Sequence, residues 1–177
     1  EDKYYGDNRF HIPFIAWYQV MNASLALTTM EVLKEQIPVT MDQLQNGIAD
    51  TRWQGRMETI LPGVIVDGAH NEDGVRRFVE TAERFQEEYP LTLLFSAVSD
   101  KDYQDMIHTI CSRIRFRKVV TTEVGGYREV PSAQLAEIFC KEGCEDVGNS
   151  DDIAQAFQMA RAAKGEDGML FCVGSLY

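Results

Sequence analysis

Two observations predict an α/β protein with a mostly parallel sheet covered by helices on both faces. The first is the stretch from Gly63 to Asn71, where Val64-Ile65-Val66 is an apolar run that stops on Asp67. Such a run fits a strand buried on both sides. A tight Gly-containing turn follows and Asn71 opens a helix. Glu72 and Asp73 suit the positive end of its dipole, and Val75, Phe78, Val79, Ala82 and Phe85 recur at helical spacing. The second observation is that strand-like and helix-like patterns alternate from Arg56 to the end, as βαβ units do.

In chain order, residues 1–12 are polar, aromatic and irregular. After Pro13 a helical pattern runs from Ala16 to Lys34, with Trp17, Val20, Met21, Ser24, Leu25 and Thr28 on one face, and Gln36-Ile37-Pro38 ends it. Thr40 reads as the N-cap of a shorter helix, Met41 to Ile48. Residues 49–55 form a connector, so the expected organisation is a helical segment at 1–50 and a sheet domain at 51–177.

Arg56 to Leu61 reads as a strand, joined through Pro62-Gly63 to an antiparallel partner at Val64 to Asp67. Further strands are expected at Leu91 to Phe95, Lys118 to Thr121, Asp146-Val147 and Met169 to Val173. Between them lie a helix from near Asp100 with Tyr103, Met106, Ile107, Ile110, Cys111 and Ile114 as its stripe, a second opened by Pro131-Ser132 and closed by Gly143, and a third capped by Ser150 and ended by Gly165.

The formal net charge of −11 argues against nucleic acid as a partner, because binding phosphates in bulk needs a basic face. No apolar run approaches a membrane span and no signal peptide opens the chain. The missing initiator Met suggests part of a longer polypeptide. The four cysteines read as free thiols of a cytosolic protein: Cys111 lies on a helical stripe, Cys172 in a strand, and no His or second Cys pair joins Cys140 and Cys144 in a zinc site.

The chemistry-bearing residues collect at the expected carboxyl ends of strands, where open α/β sheets place ligands. Asp67 there either accepts ribose hydroxyls or caps its own Asp-Gly turn. His70 is either a turn residue or a catalyst. Arg56 either meets phosphate with its planar fork or is a solvated charge. The chain contains no G-x-x-x-x-G-K-[ST] and no G-x-G-x-x-G, so it holds no phosphate cradle of its own.

Together, Gln19-x-x-Asn22-Ala23, Trp53-Gln54-Gly55-Arg56-Met57-Glu58, Asp67-Gly68-Ala69-His70-Asn71 and Gly174-Ser175-Leu176-Tyr177 resemble, in order and spacing, the folylpolyglutamate synthases, the folate branch of the Mur ligase family. Peptidoglycan ligases usually carry Tyr after the Asp. The resemblance implies that residues 51–177 are the C-terminal Rossmann-like domain of such an enzyme and residues 1–50 the tail of its central ATPase domain. It also implies an ATP-dependent amide ligase that joins L-glutamate to the γ-carboxylate of folate or its polyglutamates through an acyl phosphate. Asn22 would contact the adenine, Arg56 the ATP phosphates and Asp67 the ribose, with His70 near the phosphates, so that Arg56 and His70 are the catalytic candidates. The phosphate loop and the Mg²⁺ ligands would come from the rest of the enzyme. Two other readings are a fragment of a Mur-type cell-wall ligase and a non-catalytic Rossmann-like binding domain.

Overall fold

The structure is a computed structural model that describes residues 5–175. It divides into two compact units, Glu1–Gln54 and Gly55–Tyr177.

The first unit contains α1 (Tyr18–Val32) and α2 (Met41–Ala49). Helix α1 is shorter than the pattern suggested. The Trp17, Met21 and Leu25 side chains of the expected apolar face are 66–68% exposed. Helix α2 begins with a complete capping box: Thr40 Oγ1 accepts from Gln43 N–H at 3.2 Å and the Gln43 side chain accepts from Thr40 N–H at 2.8 Å. Leu27 and Met30 of α1 and Leu44 and Ile48 of α2 line a shallow apolar groove of about 240 Å³.

The second unit is a six-stranded sheet in the order β1-β2-β6-β3-β4-β5. Its strands are β1 (Glu58–Leu61), β2 (Val64–Asp67), β3 (Leu91–Ser96), β4 (Phe116–Thr121), β5 (Val147–Asn149) and β6 (Met169–Gly174). All pairings are parallel except β1 with β2, which turns back through Pro62-Gly63. Gly63 has φ 69°, a left-handed conformation that favours glycine in this turn.

Helices α3 (Glu72–Ala82), α4 (Tyr103–Arg113) and α5 (Ser132–Lys141) lie along one face. Under them Phe171 meets Phe78 and Phe85 edge-on at 5.5 and 5.6 Å, and Phe95 meets Phe139 at 5.4 Å. The alternate strand residues Val64, Leu94, Val120 and Leu170 point to the other face, where Ala156 and Ala160 of α6 (Ile153–Lys164) cover them. Two-sided burial is why β3 is buried at all six positions and apolar at four of them, Leu91, Leu93, Leu94 and Phe95.

Three expectations are corrected. Arg56 does not begin β1 but lies in the bend before it. Asp152, not Ser150, caps α6, accepting from Gln155 N–H at 2.9 Å, while Ser150 Oγ accepts from Asp152 N–H at 3.3 Å. Helix α3 stops at Ala82, and Phe85 belongs to a following 3-10 turn, Phe85–Glu87.

Candidate active site

The parallel register sets the carboxyl edge of the sheet. Asp67 of β2 pairs with Val173 of β6, which pairs with Phe95 of β3, so the ends of these three strands align. Ser96 lies beside Gly174, whose φ is 132° and where a Cβ would overlap the Ser96 carbonyl. The glycine of Gly174-Ser175 is therefore required by the close approach of β6 to β3. Leu176 and Tyr177, which complete that motif, lie outside the described residues.

Asp67 is 3% exposed and its carboxylate grips the backbone on both sides of the hairpin. Oδ2 accepts the Met57 N–H at 2.9 Å and Oδ1 accepts the Ala69 N–H at 3.0 Å. The Gly68 N–H donates to the Gly55 carbonyl at 2.7 Å, and Glu58 Oε2 accepts the Gly55 N–H at 2.9 Å. These bonds hold Gly55 and Met57 at φ 65° and 48°; Met57 is the one non-glycine residue with positive φ among the described residues. A buried side chain in that region costs about 1–3 kcal/mol, which the surrounding bonds offset.

Arg56 sits between these two left-handed residues. It is half-buried, and its guanidinium has no hydrogen-bond or ion-pair partner among the described residues. His70 follows on the opposing strand end, its Nδ1 at 2.7 Å from the Gly68 carbonyl oxygen. A carbonyl only accepts, so Nδ1 carries the proton, and in the neutral ring Nε2 keeps its lone pair. Asn71 Oδ1 then accepts the Gly74 N–H at 2.8 Å and starts α3.

The structure therefore brings Arg56, Asp67 and His70 onto one pinned pair of segments. Asn22 belongs to the first unit, on α1, where it is exposed and donates from Nδ2 to Gln19 Oε1 at 2.8 Å. That bond leaves its Oδ1 and one amide N–H unused. The sequence reasoning missed Glu58 and the Met57 backbone as supports of Arg56, because a left-handed methionine leaves no sequence signal.

Two loops close over the same edge beyond β3 and β4. Val98 bridges Glu129, Ser99 N–H donates to the Arg128 carbonyl at 2.6 Å, and Arg128 Nη1 meets Asp100 Oδ2 at 2.9 Å. Among the described residues no three His, Cys, Asp or Glu side chains are grouped to hold a metal ion.

The sheet thus carries one antiparallel edge strand, with Arg56 and Asp67 beside its hairpin. The family described as Mur ligase, glutamate ligase domain, matches residues 55–176, and the chain belongs to it. Within that family the chain is 32% identical over 185 residues to the dihydrofolate synthase/folylpolyglutamate synthase of Bacillus subtilis (strain 168), covering 100% of this chain and 40% of that protein. The folylpolyglutamate synthase of Mycobacterium tuberculosis, solved as complexes with ADP and AMPPCP, aligns with a TM-score of 0.78 at 25% identity, over 94% of this chain and 39% of that one. Escherichia coli FolC, solved with ADP, shares the fold, with a TM-score of 0.79 at 21% identity over 94% of this chain and 38% of that one. The chain thus spans about two-fifths of the length of these three relatives.

Proposed function

We propose that this chain is the C-terminal part of an ATP-dependent ligase that adds L-glutamate to the γ-carboxylate of folate or its polyglutamates. The observation that carries the reading is Arg56: a half-buried residue whose guanidinium has no partner among the described residues, in a left-handed turn pinned at Gly55 and Met57. A permanently charged planar fork with no partner in its own unit is suited to take an anion.

In the proposed reaction the γ-phosphoryl group of ATP passes to the folate carboxylate. The amine of glutamate attacks the acyl phosphate, and the tetrahedral intermediate expels phosphate. Arg56 binds the ATP phosphates and stabilises charge that develops during transfer. Asn22 pairs with adenine through the Oδ1 and N–H that Gln19 leaves unused. Asp67 meets the ribose while the backbone bonds it accepts hold the Arg56 turn in place. His70 offers Nε2 near the phosphates.

Mg²⁺, when bound, would neutralise phosphate charge, and the described residues include no cluster for it. The phosphate loop and metal ligands are assigned to the rest of the enzyme, the partner that the exposed Trp17, Met21 and Leu25 face of α1 would meet. Four free cysteines suit a reducing, cytoplasmic setting.

The test is Arg56→Ala in a full-length ligase that contains this chain, assayed by glutamate-dependent ADP release with folate as acceptor. Losing a charge-assisted contact of about 1.5–3 kcal/mol should lower kcat/KM for ATP roughly 10- to 150-fold, and Arg56→Lys should recover part of it. Wild-type kinetics in the Ala variant would remove Arg56 from the site. Turnover of a UDP-linked peptide instead of folate would move the reading to the cell-wall branch.

A further inference from the structure

Sequence spacing drew attention to Cys140 and Cys144, but the fold pairs Cys144 with a different thiol. Cys111 of α4 and Cys144, in the turn after α5, have their sulfur atoms 3.6 Å apart across 33 residues of chain. We propose that Cys111 and Cys144 form an oxidation site that a hydroperoxide closes into an intramolecular disulfide, tying α4 to the end of α5.

The geometry is prepared by local structure. Gly143 takes φ 91° after α5, its N–H donating to the Cys140 carbonyl at 3.1 Å, and the Cys144 N–H reaches the Phe139 carbonyl at 3.0 Å. This helix-ending turn swings Cys144 back towards α4 while Cys140 stays exposed. His108 and Glu142, in contact at 2.9 Å, join the same two elements one helical turn from Cys111. A disulfide is about 2.05 Å long, so the two sulfurs need approach by only about 1.5 Å, within reach of side-chain rotation.

The two thiols differ in a way that suits the chemistry. Cys111 is 4% exposed, whereas Cys144 is half-buried, and both line a cleft of about 590 Å³ with Arg115 and Glu142. The contact between the two sulfurs, with Arg115 nearby, lowers the Cys144 pKa, and the same contact and burial push Cys111 up. Cys144, the thiol that solvent reaches, takes the role of the attacking thiolate, and the buried Cys111 that of the resolving thiol. The Cys144 thiolate attacks one peroxide oxygen, forming S–OH and releasing hydroxide (water, after protonation). The Cys111 sulfur then attacks that sulfenic sulfur, loses its proton and expels the oxygen as a second water. Two thiols and one hydrogen peroxide thus become one disulfide and two waters. The other cysteines are placed otherwise: Cys140 faces solvent, and burial raises Cys172 on β6 to about 12.

The experiment treats the whole 177-residue chain with hydrogen peroxide, blocks remaining thiols by alkylation, and maps the peptides by mass spectrometry. The expected result is a loss of about 2 Da, one linkage joining the Cys111 and Cys144 peptides, and alkylated Cys140 and Cys172. Tm should rise by roughly 5–15 °C and return on reduction with dithiothreitol. C140S should behave as the wild type, and C111S should leave a sulfenic acid at Cys144 that dimedone traps. A Cys140 linkage, disulfide-joined dimers as the main product, or four alkylated thiols after exhaustive peroxide would each overturn the proposal. The wild-type map decides the matter even if C111S does not fold.

Discussion

The two units of this chain use the same kinds of residue to different ends. In the second unit every helix that faces the sheet buries its apolar stripe: Val75, Phe78, Val79 and Ala82 of α3 and Ile107 and Ile110 of α4 are 0% exposed. In the first unit α1 carries comparable apolar content, yet Trp17, Met21, Leu25 and Val32 are 66–74% exposed. None of the α2 residues is fully buried. The difference teaches that apolar content alone does not make a helix a core element: its stripe must have another element packed on it. Packing of such a face, not helix propensity, supplies most helical stability.

The strongest way to sharpen this contrast is a pair of truncations. Phe171→Ala removes a side chain that is fully buried against Phe78 and Phe85, and should cost about 3–5 kcal/mol in urea unfolding. Leu25→Ala, on the exposed face of α1, should change stability by less than about 0.5 kcal/mol. Similar costs at the two positions would mean that α1 is packed as tightly as the sheet.

A smaller effect is expected at Asp67, and it separates scaffold from ligand contact. Asp67→Asn leaves one oxygen to serve two backbone N–H groups, those of Met57 and Ala69, so one buried donor faces an amide NH2. We expect a loss of about 1–3 kcal/mol in stability even without nucleotide, measured by the same unfolding assay. In a full-length ligase the variant should also weaken ATP binding. Unchanged stability with weaker binding would make Asp67 a ligand contact alone.

The gentlest probe perturbs nothing. Hydrogen exchange should be slower in β2, β3 and β6 than in α1 by on the order of a hundredfold or more, because local opening of a helix with exposed apolar residues is easy. Equal protection in both units would break the comparison.

Much of this was legible in the residues. Val64-Ile65-Val66 ending on Asp67 reads as a buried strand because two-sided burial demands continuous apolar character, and the structure has that strand. Asn71, Thr40, Gly143 and Gly165 announce helix ends through their own side chains or backbone freedom, and each is found at one. Ser150 misled because two candidate caps, Ser150 and Asp152, stand two residues apart, and only the path of the chain selects between them. The reading of Arg56 as a strand residue failed for a related reason: alternation of side chains in the segment hid the left-handed turn at Met57.

By itself, then, the sequence determined the elements, their approximate ends and the presence of Arg56, Asp67 and His70 near strand termini, since these follow from local periodicity, caps and turns. Tertiary structure alone decided that the last strand, β6, enters the middle of the sheet between β2 and β3, and that Asp67 reaches across to Met57. It alone set Cys111 beside Cys144. These depend on contacts between residues far apart in the chain, where pairing and burial choose among partners that local patterns leave equivalent.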